Sequence, residues 1–579
     1  MRNLEVAQIL REIGVLLEIK GENRFRVLAY QEAARKIENW PEAIELLAKE
    51  GKLRDISGIG EGLAAKIDEY LRTGKIEYYE ELTKETPREL IQLTEIPGVG
   101  PKIARQLYSD LGIVNIEQLE QAIQEHRLQN LPGFGIKSEE KIRKGIDIIK
   151  KSTGRMLLGY ALPLAEEVIT FLRENNQIDN ISTAGSLRRM KETIGDIDIL
   201  ASTADAERMM ETFTKLPMVK QVIAHGTTKS SILTYEGVQI DLRVVDNQCF
   251  GAALQYFTGS KEHNVKLREY AQKKGYKINE YGIYRIDDEE KKGGEKEEEI
   301  YQILGMEWIP PEMREDQGEI EAALQKRLPV LVDIKDIQGD LHVHSNWSDG
   351  LVSIEEMALA ATKKGYQYLA ICDHTQGLAV ASGLTPEQIQ ERRKEINQWN
   401  QNHSEIFVLE GVEANILGDG SIDLPDEVLA QLPIVVAGIH TGLSQTTEKI
   451  NQRLEKAFKN PYVQIISHPT GRLINKRDAT QGDLALLFKY AQQTTTALEI
   501  NAQPERLDLK DIDARQANEK YQIKLVISTD SHDPSSLNLM RLGVAQARRA
   551  WLTNKDILNT YNKGQLLEIL QKKRERFTI

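Results

Sequence analysis

The stretch GDIDIL at residues 195–200 decides how the middle of this 579-residue chain folds. Its acidic and apolar residues alternate, which is the pattern of a β-strand with one open and one buried face. Asp196 and Asp198 therefore point to the same side, and the two isoleucines pack behind them. The stretch QIDLRV at residues 239–244 repeats this pattern and offers Asp241 on a neighbouring strand.

Three carboxylates on neighbouring strands are what two divalent cations need to catalyse an in-line displacement at phosphorus. Ser186, ten residues before Asp196, follows Gly185, and this pair would hold terminal phosphates while a nearby arginine neutralises their charge. A solvated acidic strand is the alternative interpretation. The combination of Gly-Ser, Asp-x-Asp and a third strand aspartate is much more specific than any one of its parts.

Candidate ligands of a second kind follow residue 339, where seven of the ten histidines lie. Six of the seven stand with acidic residues at the ends of strand-like runs, whereas His403 is interpreted as a surface residue. Seven such runs alternate with helical patterns, which predicts a distorted (β/α)7 barrel whose carboxyl-terminal mouth gathers these side chains. Mixed imidazole and carboxylate ligands favour Mn²⁺, Zn²⁺ or Fe²⁺ over Mg²⁺. Nine such ligands fit a cluster of two or three ions, which would activate water against a phosphate ester.

The first 150 residues are predicted to be helical, with three similar interruptions at residues 56–60, 96–104 and 131–137. This internal repeat is of the helix–hairpin–helix type. Gly-x-Gly turns let backbone amides approach a DNA phosphate without reading its sequence. One copy could be a plain tight turn, but three copies favour nucleic-acid contact. The candidate DNA-binding residues are Gly58, Gly60, Gly98, Gly100, Lys102, Gly133 and Gly135.

The composition limits the classes of function. The net charge is −13, and no region of the chain is basic, which excludes a strongly basic nucleic-acid binder. The two cysteines exclude a disulfide framework and favour a cytoplasmic location. No apolar run approaches the ~20 residues of a membrane span. The charge run at 287–299 is interpreted as a solvated loop, and the stretch from Pro310 to about Lys335 as a linker.

Residues 1–315 resemble the family X DNA polymerases, of which DNA polymerase beta is a well-known member. The resemblance rests on the hairpins, the Gly-Ser and Asp-x-Asp motifs, and YFTGS at residues 256–260. It implies that Asp196, Asp198 and Asp241 ligate two Mg²⁺ ions, with Asp241 beside the primer 3′-hydroxyl. Without the resemblance, the two aromatic residues of YFTGS would be interpreted as core residues. The residues implied to contact the nucleotide or template are Gly185, Ser186, Arg189, Tyr256, Phe257, Gly259, Asn264 and Arg268.

Lys66 aligns with the lyase lysine of that family, which attacks an abasic sugar through an unprotonated amine. A lone lysine on a helix is more often a solvated surface charge. Gly62 and Tyr78 stand where the family has lysines that bind a 5′-phosphate. This departure puts 5′-deoxyribose-phosphate lyase activity in doubt.

The region from about residue 338 to 579 resembles the PHP (polymerase and histidinol phosphatase) domain. A polymerase followed by a PHP domain is the order found in bacterial family X polymerases. The resemblance implies a manganese-dependent 3′–5′ exonuclease, with 3′-end processing and abasic-site cleavage as further activities. Glu410 competes with Glu413 for the glutamate role, and family position favours Glu413. By motif, the nine ligands are His342, His344, Asp349, His374, Glu413, His440, His468, Asp530 and His532.

The predicted fold class is a multidomain α and α/β protein with helical modules, a nucleotidyltransferase palm with its thumb, and the barrel. The predicted segments are a lyase-like domain (1–80), fingers (81–149), palm (150–240), thumb (241–315), linker (316–337) and PHP domain (338–579).

These features predict a monomeric repair polymerase that fills short gaps and carries its own 3′-end nuclease. Its substrates would be gapped or primed duplex DNA and deoxynucleoside triphosphates. DNA binding is expected to be weak, independent of sequence, and stronger with divalent metal. Two alternatives stay open. The PHP barrel could act as a small-molecule phosphomonoesterase, or the chain could be a DNA-binding scaffold with inactive centres.

Overall fold

The computed structural model describes residues 2–38, 44–56, 58–152, 155–378 and 381–576. The chain forms two units, one made of residues 1–153 with 475–477 and the other made of the remainder. No helix among the described residues is long and apolar enough to cross a membrane.

The described part of the first unit is helical, as predicted for residues 1–150. One apolar core forms around the first helix with Leu10, Ile13 and Leu17, and a second includes Leu107 and Leu119. The helices are α1 (Asn3–Lys20), α2 (Arg24–Glu38), α3 (Ile44–Lys49), α4 (Glu61–Thr73), α5 (Glu77–Glu85), α6 (Leu90–Thr94), α7 (Pro101–Leu111), α8 (Ile116–Gln124) and α9 (Ile136–Ser152).

The second unit begins with the palm, a five-stranded sheet of order β2-β4-β7-β6-β5. Strands β4 and β7 are parallel, and the other neighbours are antiparallel. A short pair, β1 and β3, lies beside this sheet. The palm elements are β1 (Met156–Leu157), α10 (Leu158–Asn175), β2 (Asn180–Thr183), α11 (Gly185–Arg188), β3 (Thr193–Ile194), β4 (Ile197–Ser202), α12 (Ala206–Thr214), β5 (Val219–His225), β6 (Lys229–Thr234) and β7 (Gln239–Val244).

The thumb follows the palm and has its own apolar core, which includes Ile283, Ile300 and Tyr301. Its three short strands form an antiparallel sheet. The thumb elements are α13 (Phe250–Thr258), α14 (Lys261–Lys273), β8 (Tyr276–Asn279), β9 (Gly282–Arg285), β10 (Lys291–Gly293), α15 (Glu297–Ile303) and α16 (Glu319–Leu324).

Three expectations for this region differ from the structure. The charge run at 287–299 is not simply a solvated loop, because it contains β10 and the start of α15, and Glu297 is buried. The expected linker, 316–337, includes α16, whose Ile320 and Ala323 are part of the thumb core. A boundary between residues 240 and 241 would cut β7, which belongs to the palm sheet.

The predicted seven-stranded barrel is confirmed. Its strands are parallel and adjacent in chain order, and a bridge from Val343 to Ser531 joins the first strand to the segment after the last. The elements are β11 (Gly339–Val343), α17 (Ile354–Lys363), β12 (Tyr368–Ile371), α18 (Pro386–Asn402), β13 (Phe407–Asn415), α19 (Asp426–Leu429), β14 (Ile434–Gly438), α20 (Thr447–Lys459), β15 (Ile465–Ile466), α21 (Leu484–Thr494), β16 (Ala497–Asn501), α22 (Asp511–Tyr521), β17 (Leu525–Ser528), α23 (Met540–Arg549) and α24 (Lys563–Arg576).

Buried contacts join the barrel's first strand to its last and join the barrel to the palm. The Asn559 side chain bridges its first and last strands by donating to the carbonyls of Gly339 and Ile527, each at 2.8 Å. Three barrel residues, Ile474, Leu507 and Leu542, are members of the palm's apolar core. The palm and the barrel therefore share packing, which places both candidate sites in one unit.

Candidate active sites in the palm and the barrel

The palm site is built on the parallel pairing of β4 with β7. Asp198 and Asp241 are direct partners across this pair, and Asp196 immediately precedes β4. Burial, together with the nearby charges of Asp196 and Asp241, raises the pKa of Asp198 to about 7. Such repulsion among clustered carboxylates is relieved by a bound cation. The residues present therefore fit a divalent metal centre.

Asp241 has two partners that were not among the residues predicted from the sequence. Gln239 Nε2 donates to Asp241 Oδ1 at 2.8 Å, and Lys229 Nζ lies 3.0 Å from Asp241 Oδ2. Burial would raise the pKa of Asp241, but the hydrogen bonds from Gln239 and Lys229 lower it overall. Gln239 could have been found by its spacing, since it lies two residues before Asp241 on the same strand. Lys229 could be found only from the pairing of β6 with β7.

The predicted phosphate-binding turn lies directly against the acidic residues. Gly185 has a φ of +57°, and a Cβ added there would lie 2.3 Å from Asp198 Oδ2, so only glycine fits. Ser186 follows it in α11. Arg189 Nε donates to Glu315 Oε1 at 3.1 Å, and Arg189 Nη1 donates to the Thr258 carbonyl. The thumb thus holds the guanidinium that the resemblance assigns to the triphosphate.

The YFTGS stretch ends α13, close to these groups. Tyr256 and Phe257 are half-buried, and their rings meet edge to face at 5.2 Å. Asn264 Nδ2 donates to the Tyr256 carbonyl at 2.7 Å, and Arg268 Nε donates to the Asn264 carbonyl at 3.2 Å. A Cβ at Gly259 would lie 3.1 Å from Arg189 Nη1. One cleft is lined by Asp198, Lys229, Asp241, Arg243 and Phe257, among others.

The barrel site brings all nine predicted ligands together at the carboxyl ends of the strands. Three overlapping groups have potential ligand atoms within 4.8 Å of one another, and His468 Nε2 adds to them at 3.1 Å from Glu413 Oε1. Glu413 also lies 3.2 Å from His440 Nε2 and 3.4 Å from His342 Nε2. The three groups are His344, Asp349, His374 and His532; His342, His344 and Asp530; and His374, Glu413 and His440.

The donor atoms at the mouth fit metal ions. His342 Nε2 and His344 Nε2 lie 3.2 Å apart, as predicted for a His-x-His pair on one face of a strand. The buried Nδ1 atoms of His344 and His374 form no hydrogen bond to any described residue, although His374 Nδ1 lies 3.1 Å from Glu413 Oε2. Burial lowers the pKa of His374 to about 4, which keeps its imidazole neutral and able to ligate at pH 7.

The charges of the site balance one another. Burial would raise the pKa values of Glu413 and Asp530, but the surrounding imidazoles hold both carboxyls well below their usual range. Burial would lower the pKa of His532, but its bond to Asp349 and the charge of Asp530 raise it to about 9. Glu413 and Asp530 thus each lie beside imidazoles that stabilise the ionised carboxylate.

A second layer of side chains orients the ligands. Glu499 Oε1 lies 2.8 Å from His342 Nδ1, and Asn415 Oδ1 lies 2.6 Å from His440 Nδ1. Such partners fix which ring nitrogen faces a metal. Glu499 and Asn415 were not predicted, although both lie on strands whose carboxyl ends form the mouth.

Three other acidic residues near the mouth have different partners. Asp373 pairs with Arg392 at 2.7 Å, and Glu410 pairs with Arg393 at 2.6 Å. Asp340 accepts from the backbone N–H of His342 at 3.2 Å, and burial raises the pKa of its carboxyl to about 6. Glu413, and not Glu410, therefore faces the histidines.

The three hairpins share one backbone geometry in the described residues, with Ser57 of the first lying outside them. Gly58, Gly98 and Gly133 have φ values of +86°, +97° and +83°. The second glycine of each turn, Gly60, Gly100 or Gly135, directly precedes α4, α7 or α9. Each turn therefore leads into the N-terminus of a helix, and exposed Lys102 stands in the first turn of α7.

Lys66 is not isolated. Its Nζ lies 5.1 Å from the centre of the Tyr78 ring, and the Arg26 guanidinium lies 5.3 Å from the same ring. Arg26 Nη2 also donates to the Tyr78 hydroxyl at 2.8 Å. Arg26 thus places a second positive charge against Tyr78, and this was not predicted from the sequence.

Comparison with protein-family models gives four matches along the chain. A helix-hairpin-helix domain matches residues 1–76, and a SAM-like helix-hairpin-helix tandem matches residues 90–147. The DNA polymerase beta thumb matches residues 253–315, and the PHP domain matches residues 340–569.

Curated relatives agree with these matches. The protein named DNA polymerase/3′-5′ exonuclease PolX from Bacillus subtilis (strain 168) is 42% identical over 561 residues, covering 96% of this chain and 97% of the relative. DNA polymerase lambda from Arabidopsis thaliana is 25% identical, covering 54% of this chain and 62% of the relative. A probable phosphatase from Thermoanaerobacter sp. (strain X514) is 27% identical, covering 41% of this chain and 96% of the relative. The chain therefore belongs to the family X DNA polymerases that carry a C-terminal PHP domain.

Proposed function

We propose that this chain is a DNA-directed DNA polymerase that fills short gaps during repair and processes 3′ ends with a separate nuclease centre in its barrel. One observation carries the proposal: the three palm carboxylates and the nine imidazole and carboxylate side chains at the barrel mouth lie in one unit and share no residue. The Bacillus subtilis relative, whose name gives both activities, supports it.

In the palm, Asp196, Asp198 and Asp241 would hold two Mg²⁺ ions. Bound there, the ions supply stabilisation of the charge that develops on attacking and leaving oxygens. The primer 3′-hydroxyl oxygen forms a bond to the α-phosphorus of a deoxynucleoside triphosphate and loses its proton to solvent, while the bond from that phosphorus to the bridging oxygen breaks and pyrophosphate leaves. Lys229 and Gln239 hold Asp241 in place beside the primer end.

The remaining palm residues bind and orient the nucleotide. Gly185 and Ser186 receive the terminal phosphates, and Arg189 neutralises their charge. Tyr256 and Phe257 face the sugar beside Gly259. Asn264 and Arg268, one turn apart on α14, reach the nascent base pair and the template.

In the barrel, the nine ligands would hold two or three Mn²⁺ or Zn²⁺ ions. Such ions supply a hydroxide nucleophile at neutral pH and a clamp for the phosphodiester. The protein's own contribution is to fix the ligands: Glu499 and Asn415 hold His342 and His440 in the required tautomer. In the cleavage step a water oxygen would form a bond to phosphorus, the bond from phosphorus to the 3′-oxygen of the preceding nucleotide would break, and that oxygen would take the proton of the water while the terminal nucleotide leaves as its 5′-monophosphate. Abasic-site cleavage is a further reaction of the same centre.

The substrates are gapped or primed duplex DNA and deoxynucleoside triphosphates, and the enzyme acts as a monomer. The proposed segments are a lyase-like domain (1–80), fingers (81–149), a palm extended to include β7, a thumb that includes α16, and the barrel from about residue 338. The hairpin turns supply contacts to DNA phosphates without sequence preference.

A direct test uses gapped DNA with a 5′-labelled primer, incubated with Mn²⁺ in the presence and absence of deoxynucleoside triphosphates. We expect the primer to lengthen by the gap size when nucleotides are present and to shorten stepwise when they are absent. A primer that is neither extended nor shortened would contradict the proposal and favour a scaffold with inactive centres.

A second candidate function is hydrolysis of small phosphomonoesters by the barrel, and similarity to a probable phosphatase over 41% of this chain favours it. Turnover of histidinol phosphate and of a labelled primer end can be compared under the same metal conditions. Faster hydrolysis of the small ester would favour phosphatase action over nuclease action.

A further inference from the structure

Arg549, the last residue of barrel helix α23, reaches into the palm and is almost fully buried, with 3% of its side chain exposed. Its Nη1 donates to the backbone carbonyl of Arg189 at 2.7 Å and to Glu315 Oε1 at 3.1 Å. Its Nη2 donates to Asp511 Oδ2 at 2.6 Å. One barrel side chain therefore contacts the palm, the segment after the thumb's last strands, and another barrel helix.

The same Glu315 oxygen also accepts from Arg189 Nε at 3.1 Å. Burial would raise the pKa of Glu315, but the charges of Arg549, Arg189 and Lys191 lower it, so this carboxylate is ionised at neutral pH. Arg549 and Arg189 thus share one anion. The backbone and the side chain of Arg189 are both tied to this network.

We propose that Arg549 is a positioning residue for nucleotide binding, by which the barrel holds Arg189 ready for the incoming triphosphate. The inference rests on the proposed polymerase function. Arg549 shares the Glu315 carboxylate with Arg189. Arg189 is therefore paired less tightly with Glu315 and is more able to bind phosphate. It also fixes the Arg189 backbone through the carbonyl bond. Without Arg549, Glu315 would pair more strongly with Arg189 and oppose its contact with phosphate.

A role in holding palm and barrel together is the competing explanation, and Arg541 provides the matched control. Arg541 Nη1 pairs with Glu166 of α10 at 2.9 Å, so it also crosses from barrel to palm, but it does not touch Arg189 or Glu315. If Arg549 only held the palm and the barrel together, its substitution would lower stability without a specific change in nucleotide affinity. A positioning role predicts a specific effect on nucleotide affinity for Arg549.

The test compares the wild type, Arg549→Lys, Arg541→Ala, Glu315→Gln and the double variant Arg549→Lys/Glu315→Gln. Gap filling gives KM and kcat for the nucleotide, and equilibrium nucleotide binding is measured on a dideoxy-terminated primer. We expect Arg549→Lys to raise KM and Kd about tenfold with kcat within about twofold of the wild type, because one shared charge-assisted contact is lost. Exonuclease activity should not change in Arg549→Lys or Arg541→Ala.

The double variant separates positioning from folding. In Glu315→Gln, the carboxylate that competes with phosphate for Arg189 is gone. The nucleotide KM of the double variant should therefore lie within about twofold of that of Glu315→Gln alone. A KM for Arg549→Lys within twofold of the wild type, or an equal rise in Arg541→Ala, would overturn the inference. So would loss of folding in Arg549→Lys that Glu315→Gln does not rescue. If the wild type itself does not incorporate nucleotides, the proposed polymerase function fails instead.

Discussion

The palm and the barrel arrange the charged side chains of their candidate metal sites in opposite ways. In the palm, burial and the repulsion among three crowded carboxylates together raise the pKa of Asp198 to about 7. In the barrel, Glu413 and Asp530 are interleaved with histidines, and their pKa values stay well below the usual range.

The difference indicates how each centre holds its ions. The palm leaves a negative charge that the protein itself only partly offsets through Lys229, so a bound cation would be attracted directly by the carboxylates. In the barrel a cation would have to displace the proton of an imidazole such as His532, whose pKa is about 9, while Glu499 and Asn415 already orient two of the rings. The predictions below test this contrast.

Asp198→Ala should have the largest effect on polymerisation. This change should lower nucleotide incorporation by at least about 1000-fold, because the proposed metal centre would lose one of its three carboxylates. Primer shortening without nucleotides should be retained, since none of the nine barrel ligands is changed. Loss of both activities in a folded protein would show that the two centres are not independent.

His344→Ala should have the reverse effect. His344 belongs to two of the three ligand groups, so we expect exonuclease activity to fall by at least about 1000-fold. Elemental analysis of the purified variant should find less Mn or Zn per chain than in the wild type. Gap filling with Mg²⁺ should remain near the wild-type rate. Unchanged metal content would indicate that the ions do not bind at this cluster.

Glu499→Gln should have an intermediate effect, because it alters the orientation of a ligand and leaves the ligand itself in place. We expect exonuclease activity to fall about 10- to 100-fold, with gap filling unchanged. Glu410→Gln is the matched control, since Glu410 is also a buried glutamate on a barrel strand but pairs with Arg393. An equal loss in both variants would mean that Glu499 acts only through general stability.

The sequence could predict those parts of both sites that depend on local spacing. The two-residue spacing of Asp-x-Asp and His-x-His places both side chains on one face of a strand, independently of the rest of the chain. The seven strand-like runs were sufficient to predict the barrel. The repeated strand pattern predicted Asp241 on a strand neighbouring that of Asp198, and the structure shows these residues as partners in a parallel pair.

The contacts between distant segments could not be predicted in this way. Lys229 reaches Asp241, and Arg549 reaches Arg189, only because strands and domains pack as they do. Glu297 was placed in a solvated loop because its neighbours are charged. Glu297 is instead buried, and its Oε1 accepts hydrogen bonds from Arg188 at 2.6 Å and from Arg314 at 2.7 Å.

The last expected effect is a pH dependence of stability that arises from the titration of Asp198 in the palm. In metal-free protein, the pKa of Asp198 is raised to about 7 from the 3.8 of an unperturbed aspartate. The folded state therefore binds more protons than the unfolded state between about pH 4 and 7. The Asp198 carboxyl therefore makes its full contribution to the free energy of unfolding below pH 4. This contribution is lost as the pH rises through 7, by an amount on the order of 2–4 kcal/mol.

Asp198→Asn removes this titration and isolates its effect. In EDTA, the Tm of the wild type should fall relative to that of Asp198→Asn between pH 5 and 8, and the two curves should approach one another at lower pH. Mg²⁺ should stabilise the wild type at pH 8 more than it stabilises the variant, because the cation replaces the proton as the partner of the carboxylates. Parallel curves would mean that Asp198 is ionised throughout, and that the palm carboxylates are balanced within the protein as the barrel ligands are.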